Sequence, residues 1–488
     1  MSLATTRESL PFLSLLVLLC ATVGALTAVS PIVAGILLVA LAGTLLVVRL
    51  DRPLVAVFLI FLVLQDPFRF MAGGDDTQIG YFVKRADEAL LYVVALWTLL
   101  TSRRTHLALR AEGIRWAILA CFGGILASSV VARVAVVPAA MDLVLFAKPF
   151  LIFAVGCSID PSEFASPRRL RTIVSLMASV ILFALVFMLL PHLHDAYLGS
   201  FRVADTRLGL RSAQGFFDGP GPYSWFCATT FAVAYAAYLA FEKRAYALVS
   251  LVAAVFTVLS WRRKSIGGIL AMILLAVLLR SNRDGHSRRR AVATIAIVAI
   301  LGITLLAPLV SSLWQYTVKE YGGDPNSVAR FALHQTSVLI ARDHFPFGAG
   351  LASFGSHASS VYYSETYQQY GLSTIWGLNP EYPAFITDTF WPMVLGEGGV
   401  VTLIPYALFV FLLLRRFWVT ARQTDLAPAD RFLAFAGLFI LVGSLLESTS
   451  SPIYNSTMQS ALALVVPGIA WSCFASLGSA PSGRPNAT

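Results

Sequence analysis

Charge is scarce in this 488-residue chain: Asp, Glu, Lys and Arg make up 13% of it, about half the share of an ordinary soluble domain. A water-facing surface is therefore excluded for most of the chain, and a lipid bilayer is the solvent that suits it. Cysteine is almost missing too. Cys20, Cys121, Cys157, Cys227 and Cys473 all lie in apolar stretches, with no Cys-x-x-Cys pair and no Cys/His cluster. That argues against a disulfide framework and against a structural zinc site. Long alternation of apolar and polar residues is absent, which removes a β-barrel and leaves helices to satisfy the backbone in lipid.

What is abundant is apolar sequence, 57% of all residues. Its runs of roughly 18 to 25 residues are long enough to cross a hydrocarbon core as helices. They fall near 10–27, 29–49, 53–67, 86–101, 112–132, 138–159, 170–191, 220–241, 244–260, 265–280, 291–311, 389–414, 430–447 and 455–475. The expected fold is an all-α polytopic membrane protein of about fourteen transmembrane helices. The first run follows a short head carrying Arg7 and reads as an uncleaved first helix. Four regions result: N-terminal helices over 1–191, central helices with external arginine-bearing segments over 192–311, a large external loop over 312–388, and C-terminal helices over 389–488.

The net charge of +10 invites a nucleic-acid reading. The distribution of that charge answers it. With the N-terminus in the cytoplasm, 22 of the 36 Lys and Arg residues fall in cytoplasmic loops and termini, 13 fall outside, and Lys148 sits within a span. This is the positive-inside asymmetry, so the basic residues set orientation and no nucleic-acid partner is expected. The protein is placed in the cytoplasmic (inner) membrane as a multi-pass chain with both termini cytoplasmic.

Three outer segments stand out: 192–219, the abrupt Trp261-Arg262-Arg263-Lys264-Ser265 knot, and the loop 312–388. The last far exceeds an ordinary connection, which points to a role of its own. Within it, residues 326–343 alternate at helical spacing behind Asn326 or Ser327 as N-cap, predicting a helix on the outer membrane boundary. No Asp-x-Asp motif stands in an outer segment, so neither metal nor cofactor is expected.

The outer cations run against the trend that fixes the topology: Arg202, Arg207 and Arg211, then Arg262, Arg263 and Lys264, then Arg330. A guanidinium offers a planar fork of donors that matches phosphate oxygens and stays charged at any working pH. A single one is explained as well by snorkelling or by a nearby carboxylate. The whole set on the disfavoured side points to phosphate binding. Lys148, in mid-span, needs a partner or a wet cavity; it either supports the site or neutralises Glu397 or Glu447.

Asp388, where the long loop re-enters the membrane, and Glu397, about two and a half turns deeper, are the candidate general bases. Helix capping is the structural alternative for Asp388. His334 and His344, which flank the amphipathic segment, and His357, His192 and His194 are more often packing or surface residues than catalysts; of these, His334 is kept in the candidate binding set. Tyr362, Tyr363, Tyr367, Tyr370, Trp376 and Tyr382 suit sugar stacking or an interfacial belt equally.

Several short motifs recur in a particular order: Arg211-Ser212-Ala213-Gln214-Gly215-Phe216-Phe217 before Pro220, the Arg262-Arg263-Lys264-Ser265 knot, Arg330, Phe345-Pro346-Phe347-Gly348-Ala349-Gly350, then Asp388 and Glu397-Gly398-Gly399. In this the chain resembles the O-antigen ligase and polymerase superfamily of membrane glycosyltransferases, over residues 200 to 415. The resemblance implies a bundle of the C-type glycosyltransferase class with its site facing outward. It implies that Arg211, Arg262 or Arg263, and Arg330 hold the pyrophosphate of an undecaprenyl-linked oligosaccharide. Ligases of this superfamily carry a histidine before the post-loop helix; this chain carries Asp388, which looks more like a polysaccharide polymerase.

The expected activity is polymerisation of lipid-linked repeat units into a cell-surface polysaccharide. Its partners would be that lipid-linked oligosaccharide, membrane lipids and a chain-length regulator. A ligase that moves a finished glycan is the nearest alternative. A lipid-oligosaccharide flippase or transporter is the alternative from a different class.

Overall fold

A computed structural model describes residues 53–73, 77–198, 206–207, 210–281 and 329–477. The expected spans at 10–27, 29–49 and 291–311 lie outside the described residues. The helices are α1 (Pro53–Met71), α2 (Gln78–Thr101), α3 (Arg103–Arg110), α4 (Ile114–Val131), α5 (Val136–Ser158), α6 (Pro167–Leu182) and α7 (Pro191–Leu198). They continue with α8 (Pro220–Phe241), α9 (Arg244–Leu259), α10 (Arg263–Ser281), α11 (Ala329–Asp343), α12 (His357–Val361), α13 (Trp391–Ala421), α14 (Pro428–Ser448) and α15 (Thr457–Leu477). Among the described residues the one sheet is a two-residue pair, β1 (Thr206–Arg207) against β2 (Leu210–Arg211), antiparallel. Among the described residues, eight helical stretches are long and apolar enough to cross a membrane. The chain is thus helical, as a multi-pass membrane protein requires.

Local chemistry sets the helix ends. Ser102 ends α2 and caps α3, its Oγ accepting the Thr105 N–H. Asp160 and Ser166 cap the two helical pieces that follow α5, each with proline in the first turn. Helix α2 begins at Gln78 rather than near 86, with Thr77 as its N-cap. The charges of Lys84, Arg85, Asp87 and Glu88 depress hydropathy over its first turns without breaking the helix.

α8 and α14 form the centre, packed against each other, with α9 and α10 on one side and α13 and α15 on the other. α4 lies along α13, α5 along α15, and α1 pairs with α2. Backbones approach closely through small residues, as helices in lipid do. A Cβ on Gly156 of α5 would sit 2.4 Å from the Val465 carbonyl of α15, and one on Gly468 would sit 2.5 Å from the Phe153 carbonyl.

The segment after α10 that ends at Asp388 is folded where it is described. Ala332, Leu333 and Ile340 of α11 pack with Phe354, Tyr367, Leu372, Leu378 and Ile386 into a small core of their own. The expected amphipathic helix is therefore present from Ala329, with one apolar face packed inside this core and against α13 while Val338 and Leu339 stay exposed.

Candidate functional site

Four pieces of chain meet at one end of the bundle: the turn between α9 and α10, the start of α11, the residues before α13, and the end of α14. In the first, Lys264 donates to Ser450 O at 2.8 Å and Ser451 Oγ at 2.6 Å, and its Nζ lies 3.3 Å from Glu447 Oε1. Ser265 donates to the other oxygen, Glu447 Oε2, at 3.0 Å. Glu447, in the last turn of α14, thus fixes two neighbours of the basic knot. Arg262 and Arg330 both stand within electrostatic reach of the Lys264 ammonium, and Arg263 opens α10 beside it.

Arg330, in the first turn of α11, donates to Asp388 Oδ2 through Nε at 3.1 Å and through a terminal nitrogen at 2.6 Å. The two side chains keep 32% and 25% of their surface open, so a solute can reach them. One turn further, the His334 Nε2–H donates to Thr449 O at 3.3 Å. Desolvation of the ring lowers its pKa although the residue as a whole stays exposed, so the neutral form is favoured. Asp388 does not cap a helix: α13 begins at Trp391 with Phe390 as N-cap and no side-chain cap.

Glu397 is only 1% exposed. It accepts the Phe354 N–H at 3.0 Å, while Asp142 of α5 accepts the Ala352 N–H two residues earlier at 2.7 Å. Their visible role is to anchor the 346–356 strip. That strip runs along a break in α13, where Gly399 takes φ 62° and ψ −165°. Ala349 N–H donates to Gly396 O at 2.8 Å and Gly350 N–H to Glu397 O at 2.9 Å, so the strip bonds carbonyls beside the break. Ser128 of α4 bridges the two, its Oγ 2.6 Å from Glu397 O while accepting the Gly348 N–H at 3.1 Å. The Phe-Pro-Phe-Gly-Ala-Gly run is thus a backbone splice. A Cβ on Gly348 would lie 2.4 Å from Gly396 O.

Lys148, 2% exposed, pairs with neither Glu397 nor Glu447. It bonds Glu88 Oε1 of α2 at 2.7 Å and Asn455 O at 3.2 Å. The physical reason is packing: α2 lies against α5, while Glu397 accepts the Phe354 N–H and Glu447 is held by Lys264 and Ser265. Arg211 is held bidentately by Asp195 at 2.7 and 2.9 Å. Each keeps the other charged: the Arg211 hydrogen bonds hold Asp195 below its ordinary range, and Asp195 raises Arg211. Among the described residues no hydrogen bond or ion pair joins Arg211 to the Lys264 and Arg330 cluster. The Arg207 side chain lies outside the described residues.

The structure therefore brings Arg262, Lys264, Arg330, His334 and Asp388 to one place, with Arg263 next in the chain to Lys264, and gives Lys148 and Glu397 other partners. Arg211, which pairs with Asp195, lies two residues before the Ala213 N–H that donates to Leu259 O at 2.9 Å, just ahead of the Arg262 knot. Sequence reasoning missed Glu447 as a member and Glu88 and Asp142 as partners. An acidic residue inside an apolar run was the available signal for Glu447 and Asp142. A second buried polar group was also missed, in which Asp66 accepts the Asp218 N–H at 2.8 Å with Arg69 3.7 Å from both carboxylates. Among the described residues no three His, Cys, Asp or Glu side chains converge as a metal site requires. No family model and no curated protein sequence matches the chain.

Chemically, clustered cations tied to carboxylates can exchange those partners for a phosphate-bearing ligand. A reachable carboxylate beside them can take a proton.

Proposed function

We propose that this protein is a membrane glycosyltransferase that extends a polysaccharide from undecaprenyl-pyrophosphate-linked repeat units on the outer face of the cytoplasmic membrane. The observation that supports it best is the convergence of Arg262, Lys264 and Arg330 around Asp388 and Glu447, from segments far apart in sequence. In this reading the chain is a bundle of about fourteen spans of the C-type class, with both termini cytoplasmic and the cluster outside.

The acceptor hydroxyl gives its proton to Asp388. Its oxygen then forms a bond to the anomeric carbon of the donor glycan, and the bond from that carbon to the pyrophosphate oxygen breaks. The pyrophosphate leaves with the electron pair, and Arg262, Arg263, Lys264 and Arg330 stabilise the charge as it develops. Arg211, paired with Asp195 and two residues from the Ala213–Leu259 hydrogen bond, flanks this clamp. Transfer of a finished glycan to another acceptor uses the same parts.

The test is reconstitution. Purified protein in nanodiscs, given lipid-linked repeat units, should yield a ladder of longer glycans and release lipid pyrophosphate. The buried Lys148–Glu88 pair is the feature that favours a transport reading. Movement of the lipid-linked unit across the bilayer with no change in its length would replace our reading by that one.

A further inference from the structure

The aromatic side chains between α11 and α13 are separated by the structure into two kinds. Tyr367 is fully buried, Tyr363 donates to Leu378 O at 2.8 Å, and Tyr370 donates to Asp343 Oδ2 at 3.1 Å. These three hold the small core together. Trp376 and Tyr382 do not. Their rings stack at 5.4 Å and 26°, and Phe385 meets the indole edge-on at 5.1 Å and 75°. Gly377 makes room for that prop, since a Cβ there would lie 2.1 Å from the Phe385 ring, and its carbonyl accepts the Phe385 N–H at 2.9 Å.

Trp376 is nevertheless 67% exposed. Tyr382 covers one face and Phe385 meets an edge, so the second face of the indole is open. Polar groups stand nearby in the same turn: Asn379 donates to Glu381 Oε2 at 2.9 Å. The Phe385 carbonyl accepts the Asp388 N–H at 3.1 Å, which ties this aromatic plate directly to the candidate base.

We propose that the open face of Trp376 is a glycan-binding subsite that takes a pyranose ring. The inference rests on the glycosyl-transfer reading above. A pyranose presents axial C–H groups to the negative face of an aromatic ring, while its equatorial hydroxyls reach sideways to polar neighbours. The plate is rigid before any ligand arrives, because Tyr382, Phe385 and Gly377 already fix the indole, so little ordering entropy is lost on binding. The Glu381 carboxylate at the rim favours a neutral or amino-bearing ring over an acidic one. The rival occupant is the lipid headgroup region, where exposed tryptophans also settle.

The probe is the glycan pool released by mild acid from the lipid carriers of the source cells, mixed with the full chain in nanodiscs. Saturation-transfer NMR should show transfer to ring C–H protons. Trp376→Ala should weaken binding roughly tenfold, the equivalent of one stacked aromatic contact, and Trp376→Phe should retain part of it. Equal binding by Trp376→Ala, or no transfer from the native protein to the glycan, overturns the proposal. So does strong quenching by brominated lipids of the emission that Trp376→Phe removes, which assigns the indole to the membrane. The two readings fail separately. Glycan binding through Trp376 with no chain growth leaves the subsite and removes the reaction. Chain growth with an unchanged KM in Trp376→Ala does the reverse.

Discussion

Arg330 grips Asp388 by one oxygen only: both of its hydrogen bonds to the carboxylate end on Oδ2, at 3.1 and 2.6 Å. Oδ1 accepts no hydrogen bond among the described residues. A fork on a single oxygen orients the carboxylate while leaving the other oxygen to receive a proton.

Asp388→Asn keeps the shape and an acceptor for Arg330 but removes the basic oxygen. Chain growth should fall by about 10²- to 10⁴-fold, the usual contribution of a positioned base, while lipid-linked substrate still binds. The check is the initial rate of ladder formation beside retention of labelled substrate on the purified variant. Full activity in Asp388→Asn would remove it from the mechanism.

Glu447→Ala leaves Lys264 and Ser265 without the group that fixes them. Loss of one partner of a buried pair costs about 3–5 kcal/mol; the quarter exposure of Lys264 puts this case toward or below the lower end. A lowered melting temperature in detergent measures it. The double change Glu447→Gln with Lys264→Met should recover much of the stability and none of the activity.

Gly399→Ala places a Cβ 2.4 Å from the Phe347 backbone at a residue with φ 62°. Overpacking and left-handed strain together should cost about 2–4 kcal/mol and reduce the yield of folded protein. Gly371→Ala is the control: it shares a positive φ of 70° but meets nothing within 4 Å, so it should cost about 1 kcal/mol. Equal yields of the two variants would argue against the splice.

Burial, with the nearby Arg85 cation, lowers the His357 pKa from 6.5. Above pH 6.5 both folded and unfolded chains hold this ring neutral, so it adds no pH dependence. Below that value the unfolded chain binds a proton that the folded chain does not, and stability falls until the folded pKa is passed. Protection factors over residues 351–361, corrected for the intrinsic pH dependence of amide exchange, should therefore fall between pH 7.5 and pH 5, and His357→Gln should flatten that response. Asp195 behaves differently. Its folded pKa lies below 3.8, so the link to Arg211 is fully present above that value and fails only as the pH drops through the folded one.

Much of the fold was legible because lipid imposes one long, uniform signal per span. Where charge interrupts that signal the boundary slips, as at Lys84 to Glu88 in α2. Of the candidate site, the cations Arg262, Lys264 and Arg330 were legible, because they run against the charge asymmetry expected from the sequence. Their carboxylate partners were not. Lys264 and Glu447 are 183 positions apart, and only the packing of α10 against α14 makes them neighbours. Asp195 lies 16 residues from Arg211 in the stretch that precedes α8, and that local pairing was the one available to inspection.

The splice beside Gly399 also governs how the chain would behave once cut. Because residues 346–350 are stitched to α13 by main-chain bonds and to α4 through Ser128, a protease that opens the exposed turn near Trp376 separates the polypeptide without separating its halves. Both fragments should migrate as one particle in detergent and part only under denaturing conditions. The piece outside the bundle is therefore held by an internal seam rather than hung from its two ends.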